Sequence, residues 1–476
     1  MPQEHPTDRR GHMMRVAVLA DIGQPVYHVG DEAIGHAARE QLRARGVRPV
    51  MLTRDVRHTR AYFGPTDAAA TLAFAHTPAE RERQLEAIER YLDGDEHALG
   101  ADDAARGFVA TIRSVDTVVV AGGGNLNSQY GWLMYERLAA VAVARRLGKP
   151  VVVTGQTLGP QMTAHDREQV TCTLASCALI SLRERHSVAL GRELWPGSTR
   201  LVAGMDDAAG WRVGKPLRPA AGCPARVVAT FAPGTGALPP AKAIPLLAGL
   251  LDEFAARTDA DIALLPHMAH PGRADGDLAF HAALAEASGS GRLRAYPLPT
   301  AAEAADAVTG ADLVITTRYH PAVFAATRGV PVFALAADHY ADVRIDGALG
   351  HHGLAGWAVA LDALATGEAS DALSALWDDR DRVRDHLATH HDRLLGDHGR
   401  RWDDLVLALR GEQVGPQPWC PAPDLAPPDA VASARAAHLA DQRARFEALQ
   451  AWLEHEREAS LAPGESVQGK PRARLG

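Results

Sequence analysis

Short β-branched apolar runs alternate along this chain with longer Ala/Leu/Arg-rich stretches of helical period. That alternation belongs to βαβ units around parallel sheets, so the class read from it is α/β. In the first half it predicts strands at Arg15–Ala20, Val47–Leu52, Thr117–Ala121, Pro150–Thr154 and Leu179–Leu182. In the second half the candidates are Arg226–Phe231, Ile262–Leu265, Leu293–Tyr296, Leu313–Thr316 and Pro331–Leu335. Between the sets, Arg212–Ala225 carries Pro216, Pro219 and Pro224 without an apolar period and reads as a linker. Two doubly wound domains, 1–211 and 226–411, with a cleft between them are the simplest architecture.

Two segments stand apart from this plan. From Pro65 to Arg106 a helical period around Arg81–Leu92 comes with no strand pattern, which predicts a helical insertion near 65–106. Residues 412–476 begin Pro-rich, from Pro416 to Pro428, and continue as a helix expected over Asp429–Ala459. Leu439, Phe446, Leu449 and Leu453 fall near one face of that helix, and the residues from Pro463 read as disordered.

Composition narrows the function. The 476 residues are 46% hydrophobic and 23% charged, which excludes wholesale disorder and fibrous architectures. Lys plus Arg number 50 against 58 Asp plus Glu, so the net charge of -8 offers no general attraction for nucleic acid or an anionic membrane. An anionic substrate would need a locally basic pocket. The cysteines, Cys172, Cys177, Cys223 and Cys420, form neither a disulfide framework nor a CxxC zinc pair, which suits a reducing cytoplasm. Met1–Arg15 lacks the apolar region of a signal peptide, and no stretch reaches the ~20 apolar residues of a membrane helix. The expectation is a cytoplasmic protein without an integral membrane segment, any membrane role being peripheral at the inner face.

The candidate chemistry sits at strand ends. The first strand leads through Asp21-Ile22-Gly23 to His28-Val29-Gly30-Asp31-Glu32, where an apolar helix begins. Asp31 there either acts on a hydroxyl or caps the helix. The strand at Thr117 runs into Gly122-Gly123-Gly124-Asn125, whose glycines let backbone amides approach a ligand or simply make a tight turn. It is neither a Walker loop nor a GxGxxG fingerprint. Gly155–Pro160 follows another strand, and Arg183 emerges from the strand Leu179–Leu182, able to clamp an anion or pair with a neighbouring carboxylate. The sharpest signal is Thr316-Thr317-Arg318-Tyr319-His320-Pro321, which places a fixed cation and a titratable imidazole at one strand end. The pairs His351-His352 and His390-His391 read as surface residues, and no Cys/His/carboxylate cluster has metal-ligand spacing.

Taken in order, Gly30-Asp31-Glu32-Ala33-Ile34, Gly122–Gly124, Gly155–Pro160, Ser181-Leu182-Arg183, Arg318-Tyr319-His320 and Gly329-Val330-Pro331-Val332 resemble the polysaccharide pyruvyl transferases. The resemblance covers roughly Arg15–Leu354. His28 stands where that family often has Asn, Tyr319 where it has Leu, and Tyr340 near a common Lys. It implies facing Rossmann-like halves of the two-domain glycosyltransferase (GT-B-like) kind, with a helical C-terminal extension. The implied donor is phosphoenolpyruvate, the implied acceptor a sugar or glycan precursor, and the implied product a pyruvate ketal, with no cofactor or metal. On that reading His320 is the acid and Asp31 acts on the acceptor hydroxyl. Arg318 and Arg183 hold the donor's carboxylate and phosphate, and Gly30, Gly122, Gly123, Gly124, Asn125 and Tyr319 contribute to substrate binding. A nucleotide-sugar glycosyltransferase, a transferase acting on a small natural product and a non-catalytic binding protein are the alternatives, and homo-oligomerisation stays open.

Overall fold

A computed structural model describes residues 13–64, 66–217, 224–415 and 418–461. Pro65, Pro219, Cys223, Pro416 and the tail expected from Pro463 lie outside the described residues. The strands are β1 (Arg15–Leu19), β2 (Tyr27–His28), β3 (Arg48–Thr53), β4 (Asp67–Ala70), β5 (Thr117–Val120), β6 (Gly123–Leu126), β7 (Val151–Leu158) and β8 (Leu179–Leu182). There follow β9 (Leu201–Ala203), β10 (Arg226–Thr230), β11 (Asp261–Leu264), β12 (Met268–Ala269), β13 (Leu293–Ala295), β14 (Leu313–Thr316), β15 (Val332–Ala336) and β16 (Val359–Ala360). A first parallel sheet has the order β4-β3-β1-β5-β7-β8-β9, with β6 beside β7, and a second has the order β13-β11-β10-β14-β15-β16.

Parallel strands buried on both faces need near-continuous apolar runs, and β1, β5 and β7 supply them. Alternation then divides each strand between two cores. Val16, Val18 and Val119 face a core shared with the second sheet, while Ala17, Leu19, Val118 and Val120 face a separate one on the other side. The expected strands form within a residue or two of their expected starts, and β7 runs on to Leu158. One expectation fails: the segment 65–106 contains a strand. Its Asp-Ala-Ala-Ala sequence has no β-branched residue, yet β4 pairs in parallel with Val50–Thr53 at the sheet edge, where backbone pairing overrides propensity. The helix Pro78–Leu92 lies within the segment, and the helix Ala104–Arg113 begins at its end.

Three features hold the halves together. β2 and β12 form an antiparallel pair, His28 opposite Met268, and the Val29 N–H donates to the His267 carbonyl at 2.9 Å. The 42-residue helix Glu368–Leu409 buries Leu373 and Leu376 at its start and carries Asp403 to within 2.7 Å of Arg45 near its end. The helix Asp429–Leu461 straps both halves. Gln442 donates to the Ala336 carbonyl (3.2 Å) and Arg435 pairs with Asp342 (2.7 Å). Farther along, the Gln450 amide bonds the Met162 N–H (3.1 Å) and carbonyl (2.6 Å), and Glu454 accepts from the Ala164 N–H at 2.8 Å. Of the face expected to pack, Leu453 is buried, Phe446 and Leu449 are half-buried with the Phe446 ring 4.7 Å from that of His339, and only Leu439 turns outward, 43% exposed. Val431, Ala434 and Gln442 are buried as well. Among the described residues no helix is long and apolar enough to cross a membrane.

Candidate active site

His320 follows β14 in the first turn of the helix Tyr319–Thr327. Its ring lies against the start of the helix Val29–Ala44, so closely that a Cβ on Gly30 would stand 1.7 Å from its Nδ1. The glycine is therefore required by close approach. His320 Nε2 is buried without a hydrogen-bond partner, 3.9 Å from Asp206 Oδ2. On the other side the His28 ring lies 6.2 Å away, and His28 Nδ1 is 3.2 Å from Asp31 Oδ2. Asp31 does not cap its helix, whose N-cap is His28. Glu32 is the structural acid, accepting the Gly23 N–H at 2.8 Å and fixing the turn after β1.

Burial dominates the titration of this cluster. It holds His320 well below the usual imidazole range, reinforced by His28, Arg183, His267 and Arg344. Burial and then Arg318 push His28 down to about 4. Asp31 moves the other way, raised well above the carboxylate range by burial and by Asp21, against Arg137 and Arg183. At neutral pH the imidazoles are thus uncharged.

The two arginines expected to clamp a substrate are both paired. Arg183, 1% exposed, donates from Nη1 to Asp206 and from Nε to Glu184 (2.8 Å) and Thr157 (2.9 Å), and lies 4.3 Å from the centroid of the Tyr319 ring. The ion pair open to it from the sequence is the one it makes. Arg318 donates from Nε to Asp277 Oδ2 at 2.8 Å and from Nη2 to Oδ1. Asp277 also accepts the His267 and Met268 N–H groups, and the Arg318 side chain remains 13% exposed.

The glycine run, expected as a nest or a turn, enters strand β6 at Gly123 and meets protein more than an open anion nest would. Gly123 has φ 154°, the Gly122 N–H donates to Asp207 at 2.8 Å, and the Gly124 carbonyl accepts the Tyr340 hydroxyl at 2.5 Å. Burial pushes the Asp207 carboxyl up to about 7. Asn125 is buried with its amide nitrogen unpartnered. Tyr340 carries Arg344 above it, the guanidinium carbon 3.9 Å from the Tyr340 ring centroid and 5.6 Å from that of Tyr319.

The surface assignment of the histidine pairs is wrong for three of the four. His351, His352 and His391 are buried, and His390 is half-buried. His351 closes the back of the site, its Nε2 bonding the Arg183 carbonyl at 2.5 Å and its Nδ1 accepting from the Trp419 indole at 2.9 Å. The cause is the long helix Glu368–Leu409, which covers this side.

The motifs therefore converge where the two sheet edges meet. A model of the polysaccharide pyruvyl transferases matches residues 28–339. The chain belongs to that family. As a pyruvyl transferase family member it is a transferase, and the matched segment contains every expected site residue. No curated protein matches it. Among solved structures, a putative UDP-N-acetylglucosamine 2-epimerase from Listeria monocytogenes has 12% identity and TM-score 0.57, over 86% of this chain and 100% of that one. A UDP-GlcNAc 2-epimerase from Neisseria meningitidis, bound to UDP-GlcNAc, has 11% identity and TM-score 0.52, over 83% and 100%. These likenesses establish the GT-B-like fold.

Sequence reasoning missed Asp206, Asp207, Asp277 and Arg344. The adjacent Asp206 and Asp207 follow the short β9 and were detectable as strand-end acids. Asp277 opens a helix away from any strand motif. Arg344 follows Tyr340 by one helical turn.

Proposed function

We propose that this transferase moves the enolpyruvyl group of phosphoenolpyruvate onto a sugar-containing acceptor, forming a pyruvate ketal and releasing phosphate. The observation that carries the reading is the joint of the sheets, where Asp31, His28 and His320 stand in sequence beside Arg318 inside the family-matched segment. Protonation of the donor's methylene carbon makes the neighbouring carbon electrophilic. One acceptor hydroxyl adds there and loses its proton, and the bond to phosphate breaks with its electron pair leaving on phosphate. A second hydroxyl adds, loses its proton and closes the ketal. One proton is taken up at carbon, two leave the hydroxyls, and the departing phosphate carries the difference.

His320 supplies the proton at carbon. It is neutral beforehand, and an arriving polyanion beside its unpartnered Nε2 raises its pKa, so donor binding charges the acid. Asp31, a stronger base than an ordinary carboxylate because of its raised pKa, takes the hydroxyl proton. Arg318, with Nε and Nη2 held by Asp277, has Nη1 left for the donor carboxylate. Arg183 acts from below through Tyr319 and Asp206. The directions of the two pKa shifts favour one rival assignment, Asp31 as acid and His320 as base. Solvent-deuterium exchange into the donor's methylene group separates them, because it is lost only when the proton donor is removed.

The test of the whole reading is incubation with phosphoenolpyruvate and lipid-linked or cell-wall sugar precursors, following phosphate release and product mass together. Phosphate release coupled to a ketal product is expected. Turnover of a nucleotide sugar with no phosphoenolpyruvate consumption would overturn it.

A further inference from the structure

We propose that Arg344, outside the segment matched to the family, is the cation that receives the donor's phosphoryl group and holds the phosphate product. The inference rests on the phosphoenolpyruvate reading and starts from which positive charges near the joint are still available. Two of Arg183's nitrogens serve carboxylates, and Arg318 is forked onto Asp277. Arg344 pairs with no carboxylate among the described residues. Its one hydrogen bond among the described residues is a long one, 3.4 Å from Nε to the Tyr340 carbonyl.

The acids on its own helix are turned elsewhere. Asp338 caps the helix through the Ala341 N–H, and Asp342 pairs with Arg435 at 2.7 Å. Asp346 lies 3.4 Å from Arg435 and accepts the Gly356 N–H. Both of these carboxylates thus face Arg435 on the strap helix. Position i+2 on a helix points away from i, which keeps Asp342 and Asp346 off the Arg344 face.

The site around it is built. Tyr340 is buried, fixed by its hydroxyl to Gly124, and presents its ring face to the guanidinium at 3.9 Å. Stacking fixes the plane of the guanidinium while leaving its edge donors free, the geometry that suits a phosphate. Arg344 also stands 5.6 Å from the Tyr319 ring, itself 5.0 Å from the ring of His320. Arg344 is half-buried, so a phosphate held there stays next to solvent and can depart. The carboxylate of the donor is a monoanion and suits the already paired Arg318. The phosphoryl group carries more charge and calls for the cation with no internal counter-ion.

Calorimetric titration with inorganic phosphate, and separately with phosphoenolpyruvate, tests this on the parent, Arg344→Gln and Arg344→Lys proteins after each is shown to melt cooperatively. Both affinities are expected to fall about 10- to 100-fold in Arg344→Gln and to recover in part in Arg344→Lys. Unchanged affinity for phosphate in Arg344→Gln, or no phosphate binding by the parent protein, overturns the inference. Turnover is scored apart from binding. If phosphoenolpyruvate is converted while Arg344→Gln binds phosphate normally, only Arg344 is excluded. If phosphate binding needs Arg344 but phosphoenolpyruvate is not converted, the phosphate site stands and the proposed reaction falls.

Discussion

Arg183 and Arg318 each emerge from the end of a parallel strand, one on either sheet, but only the second has room to do anything. Arg183 is enclosed by Glu184, Asp206, Thr157 and the face of Tyr319, with His351 bonded to its own carbonyl from behind. Arg318 has one carboxylate partner and keeps 13% of its side chain exposed, beside an imidazole whose Nε2 has no partner. The first edge is a buried ion network that fixes where Tyr319 and His320 stand. The second edge carries the groups with unused valences. A count of positive charges therefore overstates what a site can bind, because what matters is the charge left after internal pairing.

The largest effect that would sharpen this contrast is on the second edge. His320→Gln keeps a hydrogen-bonding group but removes the titratable proton, so turnover should fall about 100- to 10,000-fold. Donor affinity should stay near the parent's, and phosphate release at saturating substrates beside an independent donor titration checks both. On the first edge, Arg183→Met leaves Glu184 and Asp206 buried without their counter-ion, and about 3–5 kcal/mol of stability should be lost. Urea unfolding measures that. A variant of normal stability but weakened donor binding would reverse the roles given to the two edges.

The two edges touch at Gly30, and a smaller effect is expected there. In Gly30→Ala the new methyl would stand 1.7 Å from His320 Nδ1, so the ring must move while the helix, which favours alanine, persists. Turnover should drop about 100-fold, the cost of misplacing a catalytic group by about 1 Å. An unchanged rate would separate His320 from the chemistry. The smallest effect concerns the backing of the first edge. Burial, then His351 and its neighbouring imidazoles, hold His352 at about 3, below its ordinary value, so the unfolded chain binds its proton more readily. His352 therefore costs no stability above about pH 6.5, and stability is lost as pH falls from there towards about 3. In His352→Gln, unfolding free energy measured by urea at several pH values should fall less on acidification, by about 1.4 kcal/mol per pH unit in that window.

The sheets were readable because their strands are apolar runs of β-branched residues closed by glycine or polar turns, and so were the motifs, because catalytic groups of this fold collect at strand ends. β4 was hidden because an Ala-Ala-Ala run has no preference of its own and takes its conformation from β3. The depth of His351, His352 and His391 was hidden because it depends on where a 42-residue helix crosses back over the body. The partners that distinguish Arg183 from Arg318, Asp206 and Asp277, lie 23 and 41 positions away along the chain. No local pattern shows which arginine is already paired. Arg344 was overlooked for the converse reason: its meaning lies in what its neighbours Asp342 and Asp346 do with Arg435.

The helix Asp429–Leu461 has a mechanical consequence. It is fastened to the second sheet's half at Arg435 and Gln442 and to the first at Gln450 and Glu454. Between Arg435 and Glu454 runs about 28 Å of helix axis, at about 1.5 Å per residue. A hydrogen-bonded rod of that length barely stretches, so it acts as a gauge block that sets the gap between the sheet edges. Jaw-like opening would have to strip one row of fastenings from the rod.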